Sequence, residues 1–124
     1  MGSAMSDFTD YDAITEAIQA AYIDGAKTGR GADMQPAFHE DAIVFGFVDG
    51  SKFAGPIKTL FDSVDQEPPA TGLKARFARI DIVGTIAQVR LELDDWNGVR
   101  YTDLFTLLKD QGSWKIMTKA FHQH

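Results

Sequence analysis

Apolar residues recur at helical spacing early in the chain. Ile14, Ala17, Ile18, Ala21, Tyr22 and Ala26 fall on one stripe, which predicts an amphipathic helix over residues 11–27. Thr9, with Asp12 following it, is placed to cap this helix, and Gly29 and Gly31 end it. A short second helix is expected from a cap at Asp33 through Phe38, with Pro36 tolerated in its first turn. The period then changes. The run AIVFGFV at 42–48 reads as a strand, Asp49-Gly50 as a tight hairpin turn and SKFAG as the returning strand. PIKTLFDSVDQ restores a helical pattern and stops before Pro68-Pro69. The remainder, LKARFARIDIV, IAQVRLELDDW, VRYTDLFTLLK and SWKIMTKAFH, is punctuated by Gly84-Thr85, Asn97-Gly98 and Asp110-Gln111-Gly112, the pattern of a β-meander. The element order is α-α-β-β-α-β-β-β-β, an α+β fold with an antiparallel sheet and its helices gathered on one face.

Turn lengths set register, and register sets faces. A two-residue turn at Asn97-Gly98 places Arg90 opposite Phe105, Glu92 opposite Asp103 and Asp94 opposite Tyr101. A three-residue loop at Asp110-Gln111-Gly112 places Asp103 opposite Lys119, Phe105 opposite Met117 and Tyr101 opposite Phe121. One face then mixes Arg90, Glu92, Tyr101, Asp103, Phe105, Leu107, Met117, Lys119 and Phe121. The other, with Val89, Leu91, Leu93, Leu104, Trp114 and Ile116, is nearly all apolar. The helices are expected to close over the mixed face and leave a cavity, and the apolar face to pack against a second subunit. A single bulge would exchange the faces. Arg76 and Arg79 are expected on opposite faces of their strand, so that one of them looks inward.

Composition narrows the function classes. The chain of 124 residues has no cysteine, which excludes a disulfide framework and a thiolate metal site. A net charge of −6 and the lack of any basic run argue against nucleic-acid partners. No apolar run approaches the roughly 20 residues that span a bilayer, so a cytoplasmic protein without membrane contact is expected. The opening MGSAM (1–5) reads as a cloning remnant before a second start at Met5, leaving residues 6–124 as one domain.

With this element order, the segments FHEDA at 38–42, YTDLFTLLK at 101–109 and GSWKIMTKAF at 112–121 resemble the nuclear transport factor 2-like superfamily, and within it the lumazine-binding or SnoaL-like branch. The resemblance implies a cone-shaped α+β barrel, a curved sheet with three helices packed on its concave face and a deep apolar pocket between them. It also implies frequent homodimers through the convex sheet face. Superfamily members include cofactor-free isomerases, polyketide cyclases and dehydratases as well as non-catalytic binding modules, so fold alone leaves the activity open. In the isomerase pattern the catalytic Asp position falls here on Gly46, the oxyanion-hole tyrosine on Tyr22 and the second acidic donor near Phe105. Ketosteroid isomerase activity is therefore not expected.

Two readings of Asp103 and Lys119 stand side by side. Asp103 is either a pocket acid or base beside an ammonium, or half of a cross-strand ion pair neutralised together with Arg90 and Glu92. His39 is a second candidate base at the cavity rim, or a residue that holds its turn by hydrogen bonding. Tyr22, Arg90, Tyr101, Phe105, Met117, Lys119 and Phe121 are the candidate ligand-binding residues, suited to a small hydrophobic or aromatic ligand. His122 and His124 share one side of the last strand but need a third ligand such as His39, so no metal site and no cofactor is assigned. An enzyme of this kind predicts a pocket acid not fully satisfied by its neighbours. A binding module predicts that all pocket charges are mutually paired.

Overall fold

The computed structural model describes residues 3–124. The first two residues of the expected remnant lie outside the described residues, and the backbone of 3–5 continues into the first helix. That helix, α1 (Ser3–Ala17), begins before Thr9, which therefore lies inside it rather than at its cap. Past Ala17 it does not stay regular. Residues Ile18–Ile23 form wider π turns before α2 (Asp24–Thr28) restores the α spacing, and Gly29, at φ 74°, ends it in the left-handed conformation. The wider turn brings three consecutive residues, Ala21, Tyr22 and Ile23, to the buried side. The second helical segment is α3 (Gly31–Met34) with a 3-10 turn at Gln35–Ala37. It starts two residues before Asp33, which instead accepts hydrogen bonds from Thr28 Oγ1 (2.7 Å) and Arg30 Nε (3.0 Å).

The strands are β1 (Phe38–Val48), β2 (Ser51–Pro56), β3 (Lys74–Val83), β4 (Ile86–Trp96), β5 (Val99–Asp110) and β6 (Ser113–Gln123), with α4 (Lys58–Asp65) between β2 and β3. They form one sheet in the order β2-β1-β6-β5-β4-β3. The expected meander of β3 to β6 is present. The sheet as a whole is mixed rather than antiparallel, because β6 inserts beside β1 and runs parallel to it. Register shifts interrupt the β1–β6, β3–β4, β4–β5 and β5–β6 ladders, and such bulges bend and twist a sheet. The helices fill the concave side. Ile14, Ile18, Tyr22, Met34, Leu60 and Val64 pack there on Val44, Val89, Leu91, Leu93, Phe105 and Ile116 in one core. Among the described residues no helix is long and apolar enough to cross a membrane.

The bulges decide the faces. Asn97 and Gly98 do form a two-residue turn, both at positive φ, and Trp96 pairs with Val99 as expected. Before Trp96 the ladder shifts, with Asp95 at φ 62°, so Asp103 faces Leu91 and Phe105 faces Val89. This one-residue slip turns the expected arrangement of β4 over. Ala87, Val89, Leu91 and Leu93 are buried on the concave side, while Arg90 and Glu92 are on the convex side. On β3 a bulge between Phe77 and Arg79 places both Arg76 and Arg79 outward, so neither looks inward.

The β5–β6 turn has two residues, Gln111 and Gly112, not three, and Asp110 pairs with Ser113. A shift beyond Leu107 takes up Met117 and leaves Asp103 opposite Phe121 and Phe105 opposite Lys119. The convex face therefore carries charge and threonine beside the apolar residues of β1 and β5. It is not the purely apolar face that the turn arithmetic predicts.

Candidate functional site

A carboxylate, an amine and a phenol meet on the concave side of β5 and β6 under the π-helical stretch. Asp103 is 0% exposed, Tyr22 0% and Lys119 5%. The Tyr22 hydroxyl donates to Asp103 Oδ2 at 2.5 Å, and Lys119 Nζ lies 3.9 Å from Asp103 Oδ1. That second separation exceeds hydrogen-bond distance. Asp103 Oδ1 is buried without a hydrogen-bond partner. Such an atom costs about 1–3 kcal/mol and calls for a reason.

Burial raises the pKa of Asp103 above its ordinary value, opposed by the Lys119 ammonium and the Tyr22 hydrogen bond. Burial lowers that of Lys119, opposed by the Asp103 carboxylate. Tyr22 is pushed well above its ordinary value, first by burial and then by Asp103, so it remains a donor. The ammonium also lies over aromatic faces, 4.6 Å from the Phe121 ring centre and 5.6 Å from that of Tyr22.

Only one of these three groups reaches open space. A cavity lined by Val48, Phe53, Leu60, Trp96, Tyr101, Lys119 and Phe121 encloses about 50 Å³, and with its mouth the empty space is about 430 Å³. The enclosed part admits a few atoms, and the mouth has room for the body of a small ligand. Asp103 and Tyr22 stand behind the wall, and Lys119 is part of it. Glu67, exposed beyond the end of α4, lies at the rim with Ser63, whose hydroxyl donates to it at 3.2 Å.

Of the residues expected at the site, the fold brings together Tyr22, Tyr101, Asp103, Phe105, Lys119 and Phe121. Phe105 supports Tyr22 edge-on at 5.3 Å, and Tyr101 lies edge-on to Phe121 at 6.1 Å. Arg90 is not among them. The β4 slip puts it on the convex face, where its guanidinium pairs with Glu92 at 2.7 Å. The expected neutralisation of Asp103 and Lys119 by Arg90 and Glu92 therefore does not occur; Glu92 is held instead by Arg90, Arg100 and Thr102. Met117, taken up by the bulge, borders a separate surface hollow beside Val83, Ile86 and Leu108.

His39 is remote from the cluster at the start of β1. Its Nδ1 accepts from the Asp41 backbone N–H (3.1 Å) and its Nε2 then donates to Asp110 Oδ2 (3.2 Å), which satisfies both ring nitrogens. His122 and His124 stack edge-on at 4.8 Å, with His124 Nε2 2.8 Å from Thr102 Oγ1. Among the described residues no group of three or more side chains could hold a metal ion.

Trp96 was not foreseen at the site. It is 8% exposed, lines the cavity and packs edge-on against both Tyr22 and Tyr101. The cluster DDWNG carries the signal, since Asp and Asn tolerate the positive φ of a bulge and turn that swing the indole inward. Gly46 also has a role. A Cβ there would lie 2.5 Å from the Phe121 carbonyl oxygen and against its ring, so the backbone of β1 admits no side chain at this point.

The sequence pattern of the family described as Putative lumazine-binding matches residues 9–122. A Cladobotryum protein named aldolase FrzH is 32% identical over 117 residues, covering 94% of this chain and 93% of that protein. Two solved structures are closer in sequence. An NTF2-like protein of unknown function from Shewanella baltica OS155 is 43% identical, with a TM-score of 0.88 over 94% of this chain and 95% of that one. Another from Methylobacillus flagellatus KT is 44% identical, with a TM-score of 0.89 over 94% and 93% of the two chains. The chain belongs to the lumazine-binding family of nuclear transport factor 2-like proteins.

Proposed function

We propose that the chain is a cofactor-free enzyme acting on a small carbonyl compound, whose cavity amine handles the proton on the carbon beside the carbonyl. The unsatisfied Asp103 Oδ1 next to the Lys119 amine carries this reading. A binding module would pair its pocket charges fully, whereas a proton carrier needs an acceptor site left open. Lys119 touches the ligand. Asp103 holds or returns its proton, and Tyr22 fixes Asp103 from behind. The name of the Cladobotryum relative supports carbonyl chemistry of the same type.

The test is proton exchange. In deuterated buffer the protein is expected to speed hydrogen–deuterium exchange beside the carbonyl of phenylacetone, followed by NMR, and Lys119→Met to abolish the acceleration. Binding of the ketone without accelerated exchange would leave a binding module.

The finer reading of its partners is a homodimer through the convex face. Phe45, Ala120 and Leu104 are register partners across β1, β6 and β5, and Phe45 and Leu104 are 44% and 54% exposed. Sedimentation is expected to give a dimer that Leu104→Glu converts to monomer. A monomeric parent protein rejects this arrangement.

A further inference from the structure

We infer that Lys119 is a nucleophile: its amine condenses with an aldehyde or ketone held in the cavity to form an imine. The inference rests on the reading above and assigns the bond that the amine makes. Geometry supports it in three ways. Lys119 lines the cavity although its side chain is only 6% exposed, and its Nζ lies 4.6 Å from the ring centre of Phe121, another lining residue. Its ion-pair partner Asp103 is 3.9 Å away, beyond hydrogen-bond distance, which leaves the nitrogen free to turn toward a ligand. Around it stand Phe53, Trp96, Tyr101 and Phe121, whose packing buries the amine, and burial disfavours its charged form. Its lowered pKa agrees with that setting.

The step balances with groups present at the site. The ammonium gives one proton to Asp103 Oδ1, which has an open acceptor position. The neutral nitrogen attacks the carbonyl carbon, so a carbon–nitrogen bond forms and the carbon–oxygen double bond opens. The oxygen takes the two protons remaining on nitrogen and leaves as water toward the mouth. Asp103 returns its proton and the product is the protonated imine. No oxidant or reductant is required. The cationic nitrogen then draws electrons from the neighbouring carbon, which acidifies the same proton that the proposed function requires.

The walls also define the ligand. Aromatic and aliphatic surfaces suit an apolar or aromatic body behind the carbonyl. Lys119 has its counter-charge in Asp103, and Glu67 stands at the rim, so the site disfavours a free carboxylate on the ligand. Phenylacetaldehyde fits this description and glyoxylate does not.

Trapping tests the inference. The full chain is incubated at neutral pH with phenylacetaldehyde and cyanoborohydride, and the product is mapped by peptide mass spectrometry. The expected result is a protein heavier by one probe less its oxygen, modified at Lys119 faster than at the exposed Lys58, whose hydrogen bond to Asp62 raises its pKa while burial lowers that of Lys119. Glyoxylate should label Lys119 more slowly than phenylacetaldehyde, and Lys109→Met should label as the parent does. The mapping uses the parent chain, so the result does not depend on whether Lys119→Met folds. Labelling confined to exposed lysines overturns the imine. If accelerated deuterium exchange then persists, Lys119 is a base without a covalent step and the proposed function survives; if exchange is also absent, both fall.

Discussion

Two lysine–aspartate pairs tie interior elements of this molecule together, and they are built differently. In the first, Asp10 Oδ1 on α1 accepts from Lys109 Nζ at 2.9 Å and from Trp114 Nε1 at 3.1 Å, joining the helix to β5 and β6. The Lys109 hydrogen bond, followed by that of Trp114, holds the Asp10 carboxyl below its usual range. In the second, Asp103 and Lys119 are more deeply buried, stand 3.9 Å apart and leave one oxygen without a partner. A closed pair spends its charges on position. A deeper and looser pair gains little stability from its burial and keeps an amine and a carboxylate that can exchange a proton.

The sharpest way to break this comparison is to remove each lysine in turn. Lys119→Met is expected to lower turnover or exchange by roughly 100-fold or more, the usual span of a lost acid–base group. Lys109→Met should leave turnover unchanged and lower the Tm. Equal losses of activity in both variants would make the two pairs equivalent.

A smaller effect comes from behind the site. Tyr22→Phe removes the hydrogen bond to Asp103 Oδ2 and leaves both carboxylate oxygens unsatisfied, at an expected cost of about 1–3 kcal/mol in urea unfolding. The same substitution at the exposed Tyr11 should cost nothing measurable.

The smallest effect is a displaced titration. Burial lowers the Lys119 pKa and the Asp103 carboxylate raises it, so Asp103→Asn should move the amine's titration to still lower pH, read by nitrogen NMR of the labelled side chain. The stability curve should respond too. Asp103 has a folded pKa above its unfolded one, so the folded state holds that proton more tightly, and its contribution is lost as pH rises through the raised value. Asn should remove that slope. An amine titration that moves upward in the variant would show that the carboxylate does not act on Lys119.

The contrast between the two pairs is only partly written in local sequence. The elements and the β3 to β6 meander are legible because their periods are, and Gly29 and Asn97-Gly98 mark their ends. Register is a finer property. At β4–β5 the bulge beside Asp95 slips the ladder by one residue, from Glu92 to Leu91 opposite Asp103, and a one-residue slip exchanges faces. Arg90 and Glu92 are misplaced for that reason. At β5–β6 the shorter turn and the Met117 bulge together move the partner of Asp103 from Lys119 to Phe121, a slip of two that preserves the face. Lys119 and Phe121 therefore stay on the cavity side, while Met117 on the same strand is lost from it. The contributions of Phe53 and α4 depend on long-range packing that no local pattern encodes, whereas that of Trp96 is marked by the DDWNG cluster.

The π turns at Ile18–Ile23 have a consequence of their own. A π turn carries about one residue more than the α-helical turn it replaces, so this helix behaves as one that has accommodated a single-residue insertion. Deleting one residue there would restore ordinary helical winding and keep the two flanks in phase, but it would remove the extra position that lets Ala21, Tyr22 and Ile23 all face the buried side. Ile14 and Ala26, on either side, would keep their places in the core, while the Tyr22 hydroxyl would leave Asp103. The helix length is thus fixed by the aim of a single phenol, and homologues that lack the extra residue should hold the buried carboxylate by some other donor.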